Sequence, residues 1–560
     1  MSSNTSLWLS LRNPVFRKLW WITVISGICV SAHDTAATWT MNTVTSSKFL
    51  ISLMSTVASL PLFFFTLPAG SLADLVDRKK LLCLMNLWLA LSAGMLAVFG
   101  AFGMLNPYLI LTSVFLTGVG FAFNAPAWSA LVPEVVSNEE LPSAVTLGGL
   151  QLNSCGILGP AVAAVVLSHW APSWIFAVNA GVFLLVVAAI AQWKRKEKQS
   201  KAVLENFFES IVGAIRYVRY APGIQVVLAR NTLFSLFISA IPALLPVIGL
   251  KEVMMNSADL GLLFTSMGIG SVMGAILVIP RARAHFAPNA LTILASLLLA
   301  IVFVLMAMIR SVSPFMAVAA LAGVAWTVAA SELWVAGQRA MPPWARGRMN
   351  ATHIMLSNGG MALGGLIWGG MGACFGAKFT LLAAAALLLS SLALAFPLSI
   401  DFTGKLNFDP AVSTVQYHSM LHLPHPDDGP VTITMDFQID SADRARFIEL
   451  MRDVRLMYLR NGAFSWRLDE DLAELNRFRL EMLVASWSEH LLQHERVTRE
   501  EQDYLEAAWE LDLRPDGPTV KHYISVNKEL LGGKRIDTCP PPPGQGRPVR
   551  VEKPDLESAV

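Results

Sequence analysis

Long apolar runs, broken at intervals by short polar punctuation, fill the first four hundred positions of the chain. A helix needs roughly 20 apolar residues to cross a bilayer core. Twelve runs of that order can be laid out, near 19–40, 49–72, 81–103, 107–125, 146–168, 174–193, 226–249, 258–280, 289–309, 313–337, 352–374 and 378–397. None alternates apolar with polar residues as a barrel strand does, so helices are predicted throughout. After position 400 the pattern changes. "VTITMDFQI" puts Val431, Ile433, Met435, Phe437 and Ile439 on one face, a half-buried strand. Asp440 and Ser441 suit a helix start, and Phe447, Ile448, Met451, Val454 and Tyr458 form its stripe up to Gly462. Strands near 463–468, 476–485 and 519–526 and one long helix over 487–511 complete a β-α-β-β-α-β order. The predicted fold class is an all-α polytopic membrane protein of twelve transmembrane helices, six and six, with a C-terminal α+β ferredoxin-like domain.

The polar positions set the divisions. A six-helix bundle over 1–193, a cytosolic linker over 194–225, a second bundle over 226–400, a linker over 401–429, the ferredoxin-like domain over 430–526 and a disordered, proline-rich tail over 527–560 are expected. Within the first linker, Leu204, Phe207, Phe208, Ile211, Ile215 and Val218 share one helical face, which predicts a helix lying at the membrane interface. With the N-terminus inside, 18 Lys and Arg fall in inner segments and 4 in outer loops, so both termini are predicted cytosolic.

Composition agrees with a membrane setting: 54% of the 560 residues are hydrophobic and 15% charged, too oily for an ordinary soluble chain of this length. Residues 1–400 hold 23 Lys and Arg against 12 Asp and Glu, whereas residues 401–560 hold 19 against 28. A basic membrane part thus precedes an acidic soluble one. The five cysteines show no C-x-x-C spacing, which argues against a metal knuckle or disulfide framework. No Walker sequence or nucleotide glycine loop is present, so neither ATP nor another cofactor is expected, and no nucleic-acid partner.

"GSLADLVDRKKLL" resembles the signature between helices two and three of the major facilitator superfamily: Gly70, Leu72, Ala73, Asp74, Arg78 and Lys79 match, while Asp77 stands where glycine is usual. The resemblance implies two six-helix halves that rock about a central site, with Gly70, Asp74, Arg78 and Lys79 as a latch holding one half against the other. A second block is similar to the transmembrane secretion effector branch, which includes enterobactin-exporter-like proteins. Its connection between helices ten and eleven reads Q-x-x-x-P-x-x-x-R-G-R, as Gln338, Pro342, Arg346, Gly347 and Arg348 do here, and long members carry a cytosolic motif that "SWSEHLLQHERVT", Ser486 to Thr498, repeats. In the fifth helix, Gly159 and Pro160 keep the family's G-P packing motif, but Cys155, Ala163 and Ala164 replace its other glycines and Gly156 stands where relatives often have Arg. The soluble domain is similar to the dimeric α+β barrels of antibiotic-biosynthesis monooxygenases, which implies a homodimer through it.

Of the 12 acids in the membrane part, only Asp34 and Glu332 lie more than a turn inside spans. Charge is costly there and points to function. Asp34 sits roughly 22 Å along the first helix. A carboxylate at that depth can take up and release a proton as its surroundings change, or contact substrate; the alternative is that it serves polar groups in a hydrated vestibule. His33 beside it, and Trp326 as a stacking surface, complete the candidate proton and substrate site. Arg230 and Glu332, each near the inner end of its helix, are expected to form a gate ion pair. His490 and His494 share a helix face and, with His522, have metal-like spacing, but hydrogen bonding within the fold is the simpler role and no metal is expected. The function predicted is a proton-coupled exporter of a small organic molecule, siderophore- or drug-like, in the plasma (inner) membrane. The alternative is a membrane-tethered enzyme or sensor whose activity resides in residues 430–526.

Overall fold

The computed structural model describes residues 9–525 apart from 138, 194–206, 402–408, 410, 412–423 and 427. Leu204, most of the 401–429 linker and the 527–560 tail therefore lie outside the described residues. The chain divides into two compact units: Met1–Ala214, Gly223–Met341 and Ala345–Thr403 form the first, and Ile215–Pro222, Pro342–Trp344 and Gly404–Val560 the second.

The first unit is helical. Its elements are α1 (Pro14–Val44), α2 (Lys48–Leu75), α3 (Arg78–Ala101), α4 (Pro107–Val135), α5 (Leu141–His169), α6 (Pro172–Gln192), the first part of α7 (Phe207–Tyr220), α8 (Pro222–Ile238), α9 (Ala240–Lys251), α10 (Ser257–Met273), a π-turn at Gly274–Val278 leading into α11 (Ile279–Arg283), α12 (Pro288–Met308), α13 (Val312–Arg339), α14 (Arg346–Phe375) and α15 (Ala377–Ser391). The polar punctuation seen in the sequence supplies the helix starts. Asn13, Ser47, Asp77 and Asn106 accept hydrogen bonds from the first free N–H groups of α1 to α4, and Pro14, Pro107, Pro172 and Pro288 open their helices where no N–H is needed.

Eleven helical segments among the described residues are long and apolar enough to cross a membrane; the seventh, Pro222–Lys251, is α8 and α9 together. The predicted span at 352–374 is part of a 30-residue helix, α14, which falls outside that set because glycines and Asn358 replace aliphatic residues along it. Packing repeats between the halves. In the first, α3 lies against α6 and α4, α2 against α4, and α1 against α5 and α6; in the second, α12 lies against α15 and α13, α10 against α13, and α9 against α14 and α15.

The halves meet along two reciprocal seams, α2 with α14 and α5 with α10. Both are built on missing side chains. A Cβ on Gly365 would stand 2.6 Å from Thr56 Oγ1, one on Gly369 2.7 Å from Ser52 Cβ, one on Gly261 2.6 Å from Ala164 Cβ and one on Gly268 2.7 Å from the Gly156 carbonyl. Gly365 and Gly369 are one turn apart, the small-xxx-small spacing by which helices approach closely where lipid offers no hydrophobic drive. Three hydroxyls stitch the same seams: Thr56 to the Ala362 carbonyl at 3.2 Å, and Ser257 and Thr265 to the Leu167 and Ile157 carbonyls at 3.3 Å each.

The contact is confined to one end. Continuing the α10-facing stripe of α5 toward its N-terminus brings Leu152, Asn153 and Val145, all exposed, and Gly148 and Gly149, beside which a Cβ would meet nothing. Ile276, two turns beyond Gly268, is exposed as well. The halves therefore touch at the end carrying Lys48 and Ser257 and stand apart at the end carrying Arg78 and Arg283.

The second unit holds a sheet of β1 (Val431–Gln438), β2 (Ser465–Glu470), β3 (Arg477–Val484) and β4 (Thr519–Ile524) in the order β2-β3-β1-β4, every neighbouring pair antiparallel. Val431, Ile433, Met435 and Phe437 turn inward with Phe478, Leu480, Met482 and Val484, covered by α16 (Arg444–Asn461), α17 (Trp487–Arg496) and α18 (Arg499–Trp509). The single helix expected over 487–511 is two. Thr498 starts a new one, its side chain capping the Glu501 N–H while Glu501 caps the Thr498 N–H, a reciprocal box. The other face of the sheet is a charged ladder in which Arg479 holds Asp436 at 2.7 Å, so it offers no apolar cover for a partner sheet.

Overpacking the seam tests its role. Gly365→Leu in the full chain is expected to cost about 1–3 kcal/mol, read as a lower thermal midpoint in detergent, whereas Gly370→Leu, where nothing lies within 4 Å, leaves it unchanged. Equal losses in both would show that the close approach at Gly365 is unimportant.

Candidate functional site

One turn-by-turn stripe of α1 packs on α5: Gly27 meets Cys155, and Ile28 and Ser31 meet Gly159. Asp34 is the next residue along that stripe. Its side chain is exposed. Its carboxylate has no hydrogen-bond or ion-pair partner among the described residues, the one nearby bond being Thr38 Oγ1 to the Asp34 backbone carbonyl at 2.9 Å. His33 turns the other way, 2% exposed, its ring 4.7 Å from Phe176 and its Nδ1 without a partner. Trp326 is half-buried on α13, three residues from Gly323, whose close approach to α10 fixes that helix. No described contact joins Trp326 or His33 to the Asp34 carboxylate. Asn153 on the exposed stripe of α5 was not predicted; its signal in the sequence was a polar residue among glycines in a membrane helix.

The charged residues at the open end are paired. Arg78, at the start of α3, bonds Glu134 on α4 at 2.7 Å, and Lys79 donates to the Ala191 and Trp193 carbonyls at 2.8 and 2.7 Å. Asp77, the departure from the family signature, caps α3 through the Lys79 and Lys80 N–H groups. Among the described residues these contacts of Arg78 and Lys79 lie within the first half. Gly70 has open space around it, and the Asp74 side chain lies outside the described set.

In the second half the expected Arg230–Glu332 pair is replaced. Glu332, 1% exposed, bonds Arg283 Nε at 2.8 Å, while Arg230 donates to Asn289 Oδ1, to Thr292 Oγ1 at 2.7 Å and to the Leu398 carbonyl at 3.3 Å. The reason is geometric. The π-turn and α11 carry the α10 rod on to Arg283, which reaches α13, whereas Arg230 faces α12. Arg78–Glu134 and Arg283–Glu332 are then equivalent, each joining the connection before the third helix of a half to its fourth.

The signature between α13 and α14 and the interbundle linker, separate in the sequence, come together. Gln338 donates to Asn350 Oδ1 at 2.6 Å across the turn, Pro342 is buried, and Arg346 and Gly347 are exposed. Arg348 Nη1 lies 3.1 Å from where a Gly213 Cβ on α7 would be, and Trp344 packs edge-on against Tyr217 of α7, ring centroids 5.5 Å apart. The exposed face of α7 carries Val212 and Ile215 of its apolar side, while Tyr220 packs into the core of the second unit.

In the second unit His490 Nε2 lies 3.0 Å from His522 Nε2 and 3.4 Å from His494 Nε2, and Trp487 stacks near two of the rings. Gly159 and Pro160 are buried in the α1–α5 seam, apart from these. Among the described residues no group of three or more His, Cys, Asp or Glu is arranged to hold a metal. Burial, helped by the positive charge each neighbour would carry, pushes His490 down to about 3, and burial lowers His494 and His522 too.

Two repeated helical halves, joined at one end, make up a multi-pass membrane protein. Solved structures share this fold: the nucleoside transporter NupG with a TM-score of 0.57 at 12% identity, over 69% of this chain and 98% of that one, and a bacterial homolog of the human lysosomal transporter Spinster, inward-facing and occupied, with 0.54 at 14%, over 70% and 98%. The profile of the transmembrane secretion effector family matches residues 5–530, and the chain belongs to that family. Relatives include macrolide efflux protein A of Streptococcus pyogenes, 24% identical over 265 residues, or 47% of this chain and 65% of that protein, so the chain spans under two thirds of that relative's length. The enterobactin exporter EntS of Salmonella typhimurium is 24% identical over 368 residues, 64% of this chain and 86% of that one.

The histidine trio gives a signed pH dependence. Held neutral in the fold, these groups take up protons near pH 6.5 only when the chain unfolds, so their contribution to stability is present above about pH 6.5 and is lost as pH falls below it. Hydrogen-exchange protection of β1 and β3 in the full chain, corrected for intrinsic rate, is expected to fall between pH 7.5 and pH 5, and His490→Asn to shrink the fall. A flat profile would contradict the assignment.

Proposed function

We propose that the chain is a secondary active exporter that moves a small organic molecule across the inner membrane by alternating access, coupled to protons through Asp34. The observation that carries this reading is the Asp34 carboxylate, exposed on the first helix and without a hydrogen-bond or ion-pair partner among the described residues, whereas Glu134 and Glu332 are each paired with an arginine. As the second helix of each half slides against the fifth of the other, this group passes between wetter and drier surroundings and its proton affinity follows.

Several finer points belong to the same reading. We take α14 as a twelfth crossing, because it occupies in the second half the place of α5 in the first. Both termini are then cytosolic, and the end at which the halves stand apart is the cytosolic one. The sheet order β2-β3-β1-β4, with a crossing connection through α16, supports a ferredoxin-like reading of the second unit. A homodimer through that unit would meet at a charged, hydrated face. The family match runs on to residue 530, which favours the soluble domain as a part of the transporter over a tethered enzyme. The names of the relatives, a macrolide efflux protein and an enterobactin exporter, favour cargo of the siderophore- or drug-like kind.

The test is export from cells lacking their own pumps, with a macrolide and enterobactin as probes under an imposed pH gradient. Asp34→Asn is expected to abolish gradient-driven export while leaving the protein in the membrane. Undiminished export by that variant would remove Asp34 from the coupling step, and no dependence on the gradient would remove proton coupling itself.

A further inference from the structure

Two short pieces of the transporter half of the chain fold as part of the cytosolic unit: Ile215–Pro222, which leads into α8, and Pro342–Trp344, which joins α13 to α14. Their mutual arrangement is specific. Trp344 lies between Tyr217, edge-on at 5.5 Å, and Arg496 of α17, whose guanidinium stands 5.0 Å from the indole centroid. Glu489 Oε1 accepts from Arg496 Nη1 at 2.9 Å and from Arg216 Nη2 at 3.2 Å, so one carboxylate holds both sides of the cradle. The carbonyl end of α16 completes it, Asn461 accepting from Arg496 and Gly462 from Arg216, at 3.0 and 3.1 Å. Gly462 leaves room for this: a Cβ there would stand 2.6 Å from Glu489 Oε1.

We infer that the cytosolic domain is a conformational brake: its α17 and the α7 arm capture Trp344 and so bind the connection between the two halves, and the connection between α13 and α14, to one rigid body. The segments it holds are the ones whose separation must change when one half rocks against the other. The grip is also built to let go. Trp344 Nε1 and Arg216 Nε are buried without partners in the docked state, so undocking returns both to water. Docking and the parted inner ends occur in the same structure, so the captured state is the one in which Leu152 and Asn153 of α5 are exposed. The inference depends on the transporter reading for its consequence, but its test needs no transported compound.

The experiment uses the full chain in lipid nanodiscs, its five native cysteines replaced by serine and Asn153→Cys as reporter, with the rate of labelling by a charged maleimide as readout. Trp344→Ala is expected to slow labelling by up to about tenfold, the ceiling set by the equilibrium shift that one lost cation–π contact gives. Trp344→Phe, which keeps a ring against Tyr217, should label near the parent rate, and Glu489→Gln should fall between. Hydrogen exchange reports docking separately: residues 215–220 should exchange faster in Trp344→Ala while β1 and β3 stay protected. An unchanged labelling rate in Trp344→Ala overturns the brake, and unchanged exchange at 215–220 overturns the docking. Failure to export any probe compound would bear on the proposed function alone.

Discussion

The constraint on which this protein depends is that its two halves meet through helices without side chains at the point of contact. In lipid, apolar surface gains nothing by leaving one hydrocarbon for another, so association rests on close packing and on a few hydrogen bonds. Gly261, Gly268, Gly365 and Gly369 let backbones come within reach, and single hydroxyls from Thr56, Ser257 and Thr265 add direction. No ion pair crosses either seam among the described residues. A seam of that kind is tight when closed and costs little polar desolvation to part.

The distribution of charge complements the seams. Within each half a basic residue before the third helix is fixed to an acid on the fourth, Arg78 to Glu134 and Arg283 to Glu332. Glu332 is fully buried, so losing Arg283 would strand a charge at a cost of about 3–5 kcal/mol; such pairs keep each half rigid while it moves. Arg230 is satisfied by neutral acceptors and the nearby Asp401 carboxylate anchors the same corner by capping Asn289 N–H at 2.9 Å. Asp34, by contrast, has no hydrogen-bond or ion-pair partner for its carboxylate among the described residues.

Much of this was legible in the sequence because membrane helices announce themselves by length and apolarity, and because caps such as Asn13, Ser47 and Asp77 are local signals. The alternation of β1 and the order of the soluble elements were equally plain. What the sequence hid was non-local or locally compensated. Arg230 and Glu332 looked matched in depth, and only the π-turn at Gly274–Val278, which extends the α10 rod, shows why Arg283 takes the partner. The break at Val497 was written as a capping box, "TREE", inside an otherwise continuous polar helix and was overridden by the longer pattern. The apolar stripe of α7 drew attention to one face, while Arg216, Tyr217 and Tyr220 on the other face carry the contacts to the soluble core.

That double-faced helix bears on how the second unit is joined to the rest of the chain. A linker that only joins two rocking bodies has to be slack, and slack chain transmits nothing. Here the linker's second half is built into a folded core through Tyr220, and it shares a carboxylate, Glu489, with the residue that holds Trp344. Slack is thereby removed from one connection and from a second one at the same time. Under the proposed brake, a displacement of α17 would act on both connections together, through Arg496 on one side and Arg216 on the other. Coupling of this sort needs only a two-state contact whose balance a ligand shifts, and the cradle around Trp344 has the geometry of one.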